Sequence, residues 1–195
     1  LVPQLGFKLD ALGALVDGMD GRRDIPQIEF IAADAATVLV FRHLQALSDN
    51  DKQALAAFAQ AHDFDIFLQP GGLDSVHPLN GQAPQLSFQL PQWQIELDFR
   101  PLDFIQVNAK LNQAMIARAL DLLDVQPGER VLDLFCGLGN FTLPLARVAG
   151  EGSVVGVEGD AGLVARARAN AQRNGLRNVQ FHAADLAQDL AGQPW

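Results

Sequence analysis

The stretch that decides the fold is residues 130–146, "RVLDLFCGLGNFTLPLA". Its first half, Val131 to Phe135, reads as a buried strand interrupted by a single acid, Asp133, and its second half opens a helix near Asn140. Between them lie Cys136, Gly137, Leu138 and Gly139. Glycines at a strand-to-helix turn let the backbone bend sharply and approach a ligand without a Cβ in the way. Working outward, the chain continues strand, helix, strand, helix, strand. The further strands are Ser153 to Glu158 and Val179 to His182, and the helices run from Asn140 to Ala149 and from Asp160 to Asn174. Gly175 supplies the helix stop. Such alternation predicts a parallel, doubly wound sheet whose strands deliver ligands at their carboxyl ends.

Those ends carry acids. Asp133 lies beside the glycine loop, Glu158 ends the second strand about 20 residues later, and Asp185 follows the third. A carboxylate in the Glu158 position can accept from two ribose hydroxyls, and one at Asp185 can accept from an adenine amino group. A dinucleotide loop would carry a third glycine where this chain has Thr142. Acids also suit pyrophosphate poorly, whereas S-adenosylmethionine has no phosphate and carries a cationic sulfonium. The methyl donor is therefore preferred to NAD.

Upstream, residues 1–101 read as a smaller mixed α/β domain. A helix is expected over Leu5 to Met19, strands at Ile28 to Ile31 and Thr37 to Phe41, and a helix over Lys52 to His62 capped by Ser48 with Asp51. A further strand, Phe64 to Leu68, precedes a hairpin of Leu86–Leu90 and Trp93–Phe99 turned at Pro91-Gln92. The second domain is expected over residues 102–195, beginning with a helix capped by Asn108 and stopped at Pro127-Gly128. About 65 residues follow Arg130, room for three strands, where a complete sheet of this kind has about six. The chain is therefore expected to be a truncated piece, holding the first half of a Rossmann-like, donor-binding domain.

Composition bounds the rest. Of 195 residues, 49% are apolar and 19% charged, as in a globular domain, and no apolar run nears the roughly 18 residues that span a bilayer. A cytoplasmic location is the simple reading, with no membrane partner. A single cysteine excludes a disulfide framework and a multi-cysteine metal site, and the four histidines lack metal spacing. The net charge of −9 argues against a broad nucleic-acid-binding surface, although Arg166, Arg168, Arg173 and Arg177 cluster, most simply as a solvated helix face. Cys136 reads as a small, half-buried residue at a crowded turn.

The segment Asp103–Ala146, "DFIQVNAKLNQAMIARALDLLDVQPGERVLDLFCGLGNFTLPLA", closely resembles the RNA uracil-5 methyltransferases. It is nearest the iron–sulfur branch that modifies uridine in bacterial 23S ribosomal RNA. "VVGVEGD" (154–160) and "NGLRNVQF" (174–181) continue the likeness. The resemblance implies donor contacts at Gln106, Phe135, Asn140, Glu158 and Asp185. It implies a covalent route in which a cysteine thiolate adds to C6 of a flipped-out uridine, so that C5 can take the methyl group. The nucleophile and base of that route would lie beyond Trp195, and the four ligands of a 4Fe–4S cluster at or before the N-terminus. The resemblance thus places no catalytic residue and no metal ligand in this chain, which by itself is expected to be inactive. Alternatives are a methyltransferase of tRNA, protein or small molecules, or a non-catalytic module completed by a partner or by self-association through the incomplete sheet.

Overall fold

The computed structural model describes Gly6 and residues 8–188. The expectations for Leu5 and for residues 189–195 fall outside the described residues. Two compact units divide between Leu86 and Ser87.

The first unit opens with α1 (Leu9–Gly18), followed by β1 (Gln27–Ala32), β2 (Thr37–Arg42), α2 (Asp49–His62), β3 (Asp65–Gln69) and the short β4 (His77–Pro78). The strands form one sheet in the order β1-β2-β3-β4, in which β2 and β3 are parallel and the outer pairings antiparallel. Strand β2 is the buried centre, with Val38 to Phe41 all inaccessible, which explains its unbroken apolar run. Helix α2 begins with a full capping box. The Ser48 hydroxyl accepts the Asp51 N–H, and the Asp51 carboxylate accepts the Ser48 N–H. Asp51 also accepts from the backbone of Asp20 and Gly21, so one buried carboxylate joins the helix start to the turn after α1.

The second unit contains the hairpin β5 (Leu86–Leu90) and β6 (Ile95–Phe99), then α3 (Ala109–Leu123), β7 (Arg130–Leu134), α4 (Thr142–Ala149), β8 (Ser153–Glu158), α5 (Ala161–Arg173) and β9 (Val179–Ala183). Strands β7, β8 and β9 form a parallel sheet in that order, so the expected alternation is the observed architecture. The expected helices and strands are present with ends shifted by a few residues. Asn108 and Asp160 accept from the third residue of α3 and α5, and Gly175, at φ 66, closes α5.

Two features differ from expectation. The hairpin groups with the sheet that follows it, ahead of the boundary at residue 101. Its cause is a pair of asparagines on the rear of α5: Asn170 exchanges hydrogen bonds with the backbone of Asp98, and Asn174 with that of Glu96. Trp93 belongs to a 3-10 turn over Pro91–Trp93, which Gln94 closes in the left-handed region, and its ring is buried.

The core under the sheet joins Leu145, Ala146 and Ala149 of α4 to Val154 of β8. Gly156 matters here by its size. A Cβ at this position would lie 2.7 Å from the Phe181 ring and 2.9 Å from Cys136 Sγ, so these two side chains pack against the bare β8 backbone. On the other side, β7 is an edge strand whose Leu132 and Leu134 are exposed.

Candidate donor-binding site

The site assembles at the carboxyl ends of the three parallel strands. The register pairs Leu134 with Val157 and Glu158 with Ala183, so Phe135, Glu158 and Asp185 stand at or just past the ends of adjacent strands. Strand β7 stops one residue earlier than expected because Phe135 takes φ 60, a left-handed conformation rare for a bulky residue. That reversal turns Cys136 inward, with its N–H donating to Val157 O at 3.1 Å, and leaves the Phe135 ring 73% exposed. Gly137 and Gly139 also have positive φ, 54 and 92. A run of three left-handed residues in five fixes the shape of the loop, and only glycine tolerates two of them without strain.

Glu158 fastens this loop. Its Oε2 accepts the Gly137 N–H at 3.1 Å and its Oε1 the Asp160 N–H at 3.1 Å. A carboxylate offers about four acceptor positions, so lone pairs remain for hydroxyls of a ligand. Asn140 forms a reciprocal amide pair with Asn112 of α3: Asn112 Nδ2 donates to Asn140 Oδ1 at 2.9 Å, and Asn140 Nδ2 to Asn112 Oδ1 at 2.8 Å. Gln106 lies exposed in the loop between β6 and α3. Asp185 is exposed, and its carboxylate accepts from Ala187 N–H and Gln188 Nε2 of the following turn. Hydrogen bonds thus join Glu158 to the Gly137 loop and Asn140 to α3. Asp185 is held by the turn that follows it, and Gln106 and Phe135 project from exposed loop positions.

Asp133 serves the loop in a way that spacing did not reveal. Its Oδ2 accepts from Thr142 Oγ1 at 2.5 Å, bracing the end of β7 against the start of α4. Thr142, where a dinucleotide loop would carry its third glycine, is fully buried and acts as the donor of that brace. Desolvation raises the Asp133 carboxyl above its ordinary range, with the Thr142 hydrogen bonds opposing. Burial, followed by the nearby Asp133 and Glu158 carboxylates, pushes the Cys136 thiol up to about 12. A thiol so protonated is a poor nucleophile at neutral pH, and the packing reading of Cys136 stands.

The arginine cluster is a correction. Arg166 pairs with Asp103 at 2.6 Å, Arg173 pairs with Asp98, and Arg168 donates to Phe181 O at 2.5 Å. Three of the four arginines hold structure together, because each faces an acceptor on a neighbouring element. Sequence reading also missed Asn112 and Asp103. Their partners lie 28 and 63 residues away, beyond any local pattern.

A methyltransferase-domain family matches residues 125–193. Over all 195 residues the chain is 71% identical to the 23S rRNA (uracil(1939)-C(5))-methyltransferase RlmD of Xanthomonas campestris pv. campestris (strain 8004). It is 65% identical to the protein so named in Stenotrophomonas maltophilia (strain K279a). The resemblance to the RNA uracil-5 methyltransferases runs the whole length of the chain. The chain spans 44% of the length of these curated relatives. The solved structure of P. horikoshii TYW2 in complex with MeSAdo superimposes with a TM-score of 0.52 at 17% identity, covering 91% of this chain and 64% of that one. At that identity the match speaks for the fold alone, and the fold it speaks for is the mixed α/β architecture described above. No helix among the described residues is long and apolar enough to cross a membrane.

Proposed function

We propose that the protein to which this chain belongs transfers a methyl group from S-adenosylmethionine to C5 of a uridine in 23S ribosomal RNA, in the cytoplasm. The observation that carries the reading is the Glu158–Gly137 link at the carboxyl edge of a parallel sheet, in a chain about 70% identical to RlmD proteins. The site fits the donor in its chemistry. Exposed Phe135 offers a face for an apolar or ring surface, and Glu158 keeps lone pairs for ribose hydroxyls. Bound there, S-adenosylmethionine supplies an electrophilic methyl group on a positively charged sulfur. Glu158 would hold the ribose, Asp185 the adenine edge, Gln106 the methionine end, and Phe135 with Asn140 would line the loop.

The covalent route of the family asks for a cysteine thiolate that adds to C6 and leaves again once the C5 proton has been removed. Cys136 is unsuited to that role by burial and by its raised pKa, so the nucleophile is another residue of the longer protein. A 4Fe–4S cluster does not fit the residues present. Cys136 is the single cysteine, it is buried, and no group of three metal-ligating side chains occurs among the described residues.

The test uses the full-length protein and 23S rRNA tritiated at uridine C5. Donor-dependent release of tritium to water is expected, because the C5 proton must leave. Methyl transfer without tritium release would place the reaction at another atom and refute the reading.

A further inference from the structure

The loop that carries Gln106 is pinned at both ends by buried polar side chains. Asp103, whose side chain is 9% exposed, accepts from Arg166 of α5 through Oδ1 and from the Arg100 N–H through Oδ2 at 2.7 Å. Arg166 approaches across Gly162, where a Cβ would stand 3.4 Å from the guanidinium. Its Nε is buried without a hydrogen-bond partner. A buried, unpaired N–H is a cost that folded proteins rarely leave standing without a reason. At the far end of the segment, buried Asn112 is locked to Asn140 by the reciprocal amide pair. Between the pins the chain has little hold of its own. Phe104, Gln106 and Val107 are exposed, and the segment is next fastened at Asn108, the cap of α3.

We propose that Asp103, Arg166 and Asn112 are positioning residues that stretch segment 103–112 as a strap beside the glycine loop and so set the place of Gln106 at the donor. The inference rests on the donor-site reading above. Its physical content is pre-organisation. Unpinned, residues 104–107 ahead of the α3 cap would have to be ordered when the donor binds, and the affinity would fall by that ordering cost. The two pins attach to different parts of the cradle, Arg166 on the helix after Glu158 and Asn140 on the loop after Gly139. The strap is therefore registered to both halves of the donor site at once.

The test is calorimetric titration of the full-length protein with S-adenosylhomocysteine, with hydrogen exchange of the 104–108 amides. Asp103→Asn and Arg166→Gln are each expected to raise Kd about tenfold or more and to speed exchange in the strap. The double variant should be little worse than either single one, since both remove one link. Arg166→Lys, which keeps the charge, should recover part of the loss even if the other variants are less stable. Unchanged Kd in both single variants, with Glu158→Ala still weakening binding, would overturn the strap and leave the donor site intact. Unchanged Kd in all of them, Glu158→Ala included, would overturn the donor site itself.

Discussion

The Glu158 carboxylate, at the end of one strand, accepts the backbone N–H of Gly137, in the loop after its neighbour, at 3.1 Å. One side chain therefore shapes the loop and, by the proposed function, also holds the ribose of the donor. Glu158→Gln keeps the shape but offers a neutral acceptor, so donor affinity should fall, by about 1.5–3 kcal/mol if a charge-assisted bond is lost. Thermal stability should change much less. Calorimetry and a melting curve on the same variant separate the two effects.

Phe135 pairs an exposed ring with a strained backbone. A bulky residue in this region costs about 1–3 kcal/mol, and such strain persists where surrounding structure and function require it. Phe135→Gly should relieve it, leaving stability in urea unchanged or higher while weakening donor binding. A variant that is less stable and binds normally would show that the ring serves packing.

Gly156 is the tightest point of the sheet core. Gly156→Ala would drive a methyl group into Phe181 and Cys136 and should destabilise the protein by about 1–3 kcal/mol. Adding Cys136→Ala should restore part of this by freeing the space of Sγ. Chemical denaturation of the two single variants and the double variant gives the coupling directly.

Cys136 also makes a prediction about pH. Its folded pKa, about 12, lies above the ordinary value of 9.0, so the folded state holds its proton more tightly. The resulting stability is fully present below pH 9 and is lost as pH rises toward 12. Cys136→Ala should flatten the decline in melting temperature over that range. At pH 8, alkylation of the folded protein should be far slower than of the unfolded chain.

Much of this was legible in the sequence, for physical reasons that particular residues show. Ser48 with Asp51, Asn108, Asp160 and Gly175 act within four residues of themselves, so their type and spacing announce the helix ends they make. The alternating strands and the acids at their ends follow from the same local logic. What stayed hidden is long-range or conformational. Nothing about Phe135 advertises a left-handed φ, because phenylalanine ordinarily avoids it. The pairing of the arginines is hidden because Asp103 and Asp98 are distant in sequence, and so is the link of the hairpin to α5, because Asn170 and Asn174 reach it from more than 70 residues away.

The open edge of β7 bears on the state of the chain in isolation. Parallel strands are ordinarily covered on both sides, yet Leu132 and Leu134 are exposed here beside unpaired backbone. The isolated chain should self-associate in light scattering, and Leu134→Lys should reduce its apparent mass toward that of one copy. A monodisperse single copy at all concentrations would argue against an adhesive edge.

The most direct measurement of the central claim is nucleoside mass spectrometry of 23S rRNA from cells with and without the gene. One 5-methyluridine is expected to disappear on deletion and to return with the intact gene but not with its Glu158→Ala form. An unchanged content of 5-methyluridine in the deleted strain would contradict it.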